Sequence, residues 1–146
     1  MSASTFLLLN VALAFYNVGT IWAHEIDIFR TWALVNPGDF RRIQLVHWRR
    51  LPYWVFLPVG LALSGSVALL WFHSAVRNSL LWAALATQLV SHVLTAILWG
   101  PWQAKLSRDE RASGSPYLAK ILATHWIRTG LISAYGFILF IAAARA

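Results

Sequence analysis

Apolar and polar positions alternate along this chain on the scale of whole segments. Four stretches almost free of charge, 6–24, 51–73, 80–100 and 116–143, each supply the roughly 20 residues that a helix needs to cross a hydrocarbon core of ~30 Å. The first has no basic residues before it and no small-x-small cleavage site, so it reads as a retained helix and not as a signal peptide. Pro52 suits the first turn of the second stretch, whereas Pro58 lies inside it and predicts a bend unless a neighbour takes up the freed carbonyl. Gly100-Pro101 predicts the end of the third helix. Ser115 as N-cap with Pro116 at the first helical position predicts the start of the fourth.

The segment between the first two stretches is too polar to span, and it divides at the turn signal Asn36-Pro37-Gly38-Asp39. Asp39 is placed to cap a short helix over 40–50. There Phe40, Ile43, Val46 and Leu51 fall near one face and Arg41, Arg42 and Arg49 elsewhere, the pattern of a helix lying in the membrane surface. A plain basic loop is the alternative. No internal repeat occurs, and RASGS (111–115) is too short to separate domains. The expected fold is therefore all-α, a single transmembrane domain over 1–146 built as an integral membrane four-helix bundle.

Composition strengthens this picture. Of 146 residues, 59% are hydrophobic and 12% charged, against ~25% charged in soluble domains. With no cysteine, disulfides, thiolate-bound zinc and iron–sulfur clusters are excluded. The net charge of +7 would suggest nucleic acid in a soluble protein; beside nine tryptophans it points to loops facing anionic lipid. Arg30, Arg41, Arg42, Arg49 and Arg50 precede the second stretch, and Lys105, Arg108, Arg111 and Lys120 lie between or beside the third and fourth. The opposite side carries only Arg77 and Arg145. Basic connections on the cytoplasmic side put both termini on the other, in a multi-pass protein of a bacterial inner membrane. Trp22, Trp48, Tyr53, Trp54, Trp71, Trp99, Trp102 and Tyr117 suit interfacial belts. Tryptophans beyond that need would pack the core or line a pocket for a flat ligand.

Polar groups inside the spans carry the candidate chemistry, because each needs a partner in hydrocarbon. Arg128 lies twelve residues past Pro116, roughly 18 Å along its helix, too deep to snorkel easily. Of the five acids, Asp39, Asp109 and Glu110 sit in connections, so the expected partner is Glu25 or Asp27 at the end of the first helix, or an anionic ligand. Such a pair would equally serve only to fix the bundle. Thr124, His125 and Thr129 accompany Arg128. Gln88, Ser91, His92 and Thr95 make a similar stripe on the third helix, and Asn10, Asn17, His24 and Thr31 recur at seven-residue spacing on the first. These seams are expected to meet in the cytoplasmic half, with His47 joining and His73 on the far side. His24, Glu25, His92 and His125 would make a three- or four-ligand shell for iron, copper or zinc, and His92 with His125 would hold a haem or chlorin from two faces. Ordinary interhelical hydrogen bonds and proton transfer use the same residues without any cofactor. Trp126, His47 and Gln88 are the expected substrate contacts.

The segments AHEIDIFRTWALVNPGDFRRIQLVHWRRL (23–51) and LAKILATHWIRTGL (118–131), set across four short spans, resemble the small four-helix membrane proteins grouped with the anthrone oxygenases. In that group an acidic or His-bearing end of helix 1 precedes a helical re-entry, and helix 4 carries a W/H-x-x-R motif. The matching positions are His24, Glu25, His125, Trp126 and Arg128; His47 and its HWRRL setting depart from the pattern. The resemblance implies oxidation of a polyketide anthrone to a quinone, with His24, Glu25, His125 and Arg128 as catalytic residues. The expected function is thus a membrane oxygenase or oxidoreductase acting on a lipophilic aromatic or quinone-like substrate, His125 or His24 serving as base and Arg128 stabilising the anion. The alternative is a non-enzymatic accessory subunit of a larger membrane complex, its histidines ligating haem or pigment. Expected partners are the bilayer and a lipophilic small molecule, with homo-oligomer or larger complex open, and no nucleic acid.

Overall fold

The computed structural model describes residues 2–72 and 78–146; His73 and Arg77 lie outside them. Four helices, α1 (Ala3–Trp32), α2 (Pro37–Trp71), α3 (Ser79–Leu106) and α4 (Pro116–Ala144), are each long and apolar enough to cross a membrane. Together they make an all-α bundle in which α1 and α3 each pack on α2 and α4. Leu7, Leu69, Leu81 and Leu139 meet in one apolar cluster, and Phe29, Phe40, Trp99 and Leu118 in another. The helices therefore alternate in direction. The second cluster marks a basic end, whose surface carries Arg41, Arg49, Lys105 and Lys120. Between the clusters the buried side chains turn polar: Asn17, His24, Glu25, Gln88, His125 and Thr129 are all covered.

Three helices run past the ends expected from sequence, and each does so through one π turn. Phe29 N–H bonds the His24 carbonyl, Leu57 N–H that of Pro52, and Gly100 N–H that of Thr95, a reach of five residues in place of four. α1 thereby continues through the polar 24–28 to Trp32. The segment 40–50 is no separate interfacial helix: it belongs to the opening turns of α2, continuous through Pro52. The wider turn accommodates a ring that lacks an N–H. α3 likewise passes Gly100-Pro101, where glycine is required because a Cβ would stand 2.9 Å from the Thr95 carbonyl oxygen. Asn36, not Asp39, caps α2, its side chain accepting from Gly38 N–H at 3.2 Å; Asp39 instead pairs with Arg42 at 3.0 Å. Ser115 caps α4 as expected, accepting from Tyr117 N–H at 3.2 Å.

Pro58 cannot donate to the carbonyl four residues back, that of Trp54. The Tyr16 hydroxyl donates to it at 3.0 Å across the helix pair. Tyr16→Phe is expected to cost about 1 kcal/mol or somewhat less, the worth of one interhelical hydrogen bond. Unfolding of the detergent-solubilised protein in increasing SDS measures this, and an unchanged midpoint would show that the carbonyl finds another donor.

The connection from α3 to α4 is clamped at Asp109. Its carboxylate accepts from Arg111 Nε at 3.0 Å, from a terminal guanidinium nitrogen of Arg111 at 2.9 Å and from the Ser115 hydroxyl at 2.7 Å. The Arg111 bonds, and after them the Ser115 bond, hold the Asp109 carboxyl well below the usual carboxylate range. A depressed carboxyl stabilises the fold fully above its unfolded value of ~4, and that contribution is lost as pH falls below it. Between about pH 6 and about pH 3, thermal unfolding should therefore fall further in the wild type than in Asp109→Asn; parallel curves would remove the clamp from the stability of the connection.

Candidate functional site

The three π turns lie around one polar layer. His24 and Glu25 open the first of them and are both buried, 5% and 8% exposed. The His24 Nδ1 lies 2.8 Å from the Thr20 carbonyl oxygen. A carbonyl only accepts, so the proton sits on Nδ1 and the lone pair on Nε2. The ring stacks on Trp54 at 5.5 Å, lies tilted against Phe29 at 5.6 Å and meets His47 edge-on at 5.3 Å. His47 in turn stands 5.1 Å from Trp32. An aromatic enclosure thus fixes the His24 imidazole from several sides.

Glu25 joins α1 to α4. One carboxylate oxygen accepts from His125 Nδ1 at 2.9 Å and the other from Arg30 at 3.1 Å, while Arg30 Nε also donates to the Glu25 carbonyl at 3.1 Å. The chain His125–Glu25–Arg30 runs outward, with side chains 1%, 11% and 61% exposed. The carboxylate fixes the same tautomer in His125 as the carbonyl does in His24, leaving its Nε2 buried and without a partner. His92 repeats the arrangement, Nδ1 donating to the Gln88 carbonyl at 2.6 Å with Nε2 buried and bare.

Arg128 is not paired with Glu25 or Asp27. Both Glu25 oxygens are engaged as described, and Asp27, on the exposed side of α1, accepts from the Thr31 hydroxyl at 3.1 Å. Among the described residues Arg128 has no hydrogen-bond or ion-pair partner. It lines a cavity of about 100 Å³ together with Asn17, His24, His47 and Thr95. The Asn17 Oδ1 is buried there without a partner. Val55, Phe56 and Ile132 supply apolar walls, and Phe56, 52% exposed, is the thin one.

Of the sequence-derived candidates, His24, His47 and Arg128 share this cavity, and Glu25 and His125 stand behind it. Trp126 does not belong: its side chain is 62% exposed on the outer face of α4. Gln88 is buried but lies outside the cavity lining, farther along α3. The set His24, Glu25, His92 and His125 is not a metal shell, since among the described residues no three histidine or acidic side chains stand close enough to hold one ion. Each of its histidines is tied to a different acceptor. His92 also sits seven residues, roughly 10 Å, along α3 from Trp99, which donates to Thr124 beside His125 at 3.0 Å. Phe29, Arg30 and Trp54 were not among the site residues read from sequence, Arg30 being counted there only as a basic loop residue and Trp54 as part of an interfacial belt. Arg30 follows Glu25 by five residues, a spacing that faces together only across a π turn. In comparisons with family models, with curated proteins and with solved structures, nothing matches this chain.

Proposed function

We propose that the chain is a membrane-embedded oxidoreductase of the oxygenase type, acting on a lipid-soluble aromatic or quinone-like substrate at the Arg128 cavity, with the basic end cytoplasmic and both termini on the other side. The observation that carries this reading is a histidine with a free Nε2 lone pair and an arginine without an acid in one cavity. The resemblance in 23–51 and 118–131 agrees with it. His24 Nε2 takes a proton from an acidic methylene or phenol, and Arg128 stabilises the anion where charge gathers on the ring oxygen. For an anthrone-like methylene the carbanion gives its electron pair to dioxygen. A C–O bond forms, the peroxide oxygen takes a proton, and loss of the second C–H proton with cleavage of the O–O bond releases water: CH₂ + O₂ gives C=O + H₂O. His125, Glu25 and Arg30 act as positioning residues that hold the end of α1 against α4.

A cavity of about 100 Å³ holds the polar edge of such a molecule; an engineered cavity of about 150 Å³ takes one benzene. The rest of the ring system enters past Phe56 from the lipid. Oxygen uptake and quinone formation by the detergent-purified protein with an anthrone test the reading. Turnover should fall at least about 100-fold in His24→Ala and in Arg128→Ala. Undiminished turnover in the double variant, or none in the wild type, overturns it.

A further inference from the structure

A second polar groove lies on the outside of the basic end. It has a volume of 320 Å³ and runs between the opening turns of α2, which give Arg41, Gln44 and Trp48, and the end of α3 with Arg108 just beyond it. A neighbouring hollow of 390 Å³ shares Arg41 and Leu45 with it and adds Val46. Neither is lined by an acid. Of the acids nearby, Asp39 is engaged with Arg42 and Asp109 with Arg111 and Ser115; Glu110 lines a separate hollow that Arg41 and Arg108 also border, yet Arg41 and Arg108 have no ion pair among the described residues. Gln44 is 2% exposed, and its Oε1 is buried without a partner. An amide this deep in a helix flank calls for a hydrogen-bonding partner, and this one stands at the groove. Leu45 and Val46, beside the cations, are 48% and 45% exposed.

We propose that this groove binds the headgroup of an anionic phospholipid carrying a free alcohol, of the phosphatidylglycerol type. The phosphate diester sits between the Arg41 and Arg108 guanidinium groups. The headgroup hydroxyl meets the Gln44 amide, which it satisfies whichever amide atom faces it, because an alcohol both donates and accepts. An acyl chain covers Leu45 and Val46, and Trp48 sits at the level of the glycerol backbone, where indoles concentrate.

Native mass spectrometry of the full chain in nonionic detergent, titrated with phosphatidylglycerol, phosphatidylethanol, phosphatidylcholine and glycerol 3-phosphate, tests the proposal. One phosphatidylglycerol per chain should be retained, and Arg41→Gln with Arg108→Gln should weaken it about tenfold or more. Arg50→Gln with Lys120→Gln removes the same charge outside the groove and should leave it unchanged. Gln44→Leu should abolish the preference for phosphatidylglycerol over phosphatidylethanol, an anion of like charge without the alcohol. Equal retention of phosphatidylcholine, equal weakening in the two double variants, or competition by glycerol 3-phosphate as effective as the lipid's own binding would each overturn it, the last in favour of a soluble phosphate ligand.

Discussion

Glu25→Ala is expected to destabilise the bundle by about 2–4 kcal/mol, the range for removing a buried, charged hydrogen-bond acceptor together with the packing it supplies. The cost lies on the His125 side. That ring is wholly covered, and without Glu25 its Nδ1–H points at no acceptor other than the Thr129 hydroxyl at a weak 3.5 Å. Arg30, with its side chain 61% exposed, regains water and adds little. Glu25→Gln keeps the shape and one acceptor oxygen; with His125 in its present tautomer it satisfies His125 or Arg30 but not both, and the other tautomer exposes a buried Nε2–H without an acceptor, so about half the loss is expected. SDS or thermal unfolding in detergent measures both variants. Wild-type stability in Glu25→Ala would mean that His125 repartners, and the contact between α1 and α4 would then rest on packing alone.

The larger functional effect is expected from His24. Removing a general base lowers turnover about 10²–10⁴-fold, and His24→Ala should show it in kcat, with a lowered unfolding midpoint besides, because the buried ring packs on Trp54, Phe29 and His47. His47→Ala should fall far less, since His47 borders the same cavity but is held by ring contacts alone. Arg128→Ala should lower kcat and kcat/KM together, as expected for a group that acts on charge present only after deprotonation. Arg128→Lys, which keeps the charge but loses the planar fork, should lie between. If His47→Ala proves the more damaging, the base has been assigned to the wrong ring; if only KM moves in Arg128→Ala, the arginine binds substrate without stabilising its anion.

Four apolar stretches and the capping pair Ser115-Pro116 were legible in the sequence because length and hydropathy alone decide them. The depth of Arg128 and the meeting of His24 with His47 were legible too, from position along the helices. The acid partner was not. Seven-residue spacing assigns Asn10, Asn17, His24 and Thr31 to one seam, yet Thr31 is exposed and Trp32 is buried in its place. The π turn at 24–28 inserts one residue into the repeat, and everything beyond it is rotated by roughly 100°. That rotation brings Arg30 under Glu25 and closes the carboxylate to Arg128. A single-sequence periodicity count has no term for a one-residue slip, and Pro52 and Gly100-Pro101 hide the other two behind residues that usually end helices.

Three such slips in one bundle make α1, α2 and α3 each two half-helices with separate azimuths. In α1, Asn17 and Ile21 before the slip and Phe29 and Trp32 after it are buried, so each half of the helix has its own buried face. A related chain lacking these turns would align with this one only through single-residue gaps near 24–28, 52–56 and 95–99. Without the gaps, its buried positions on one side of each slip would be matched to exposed ones.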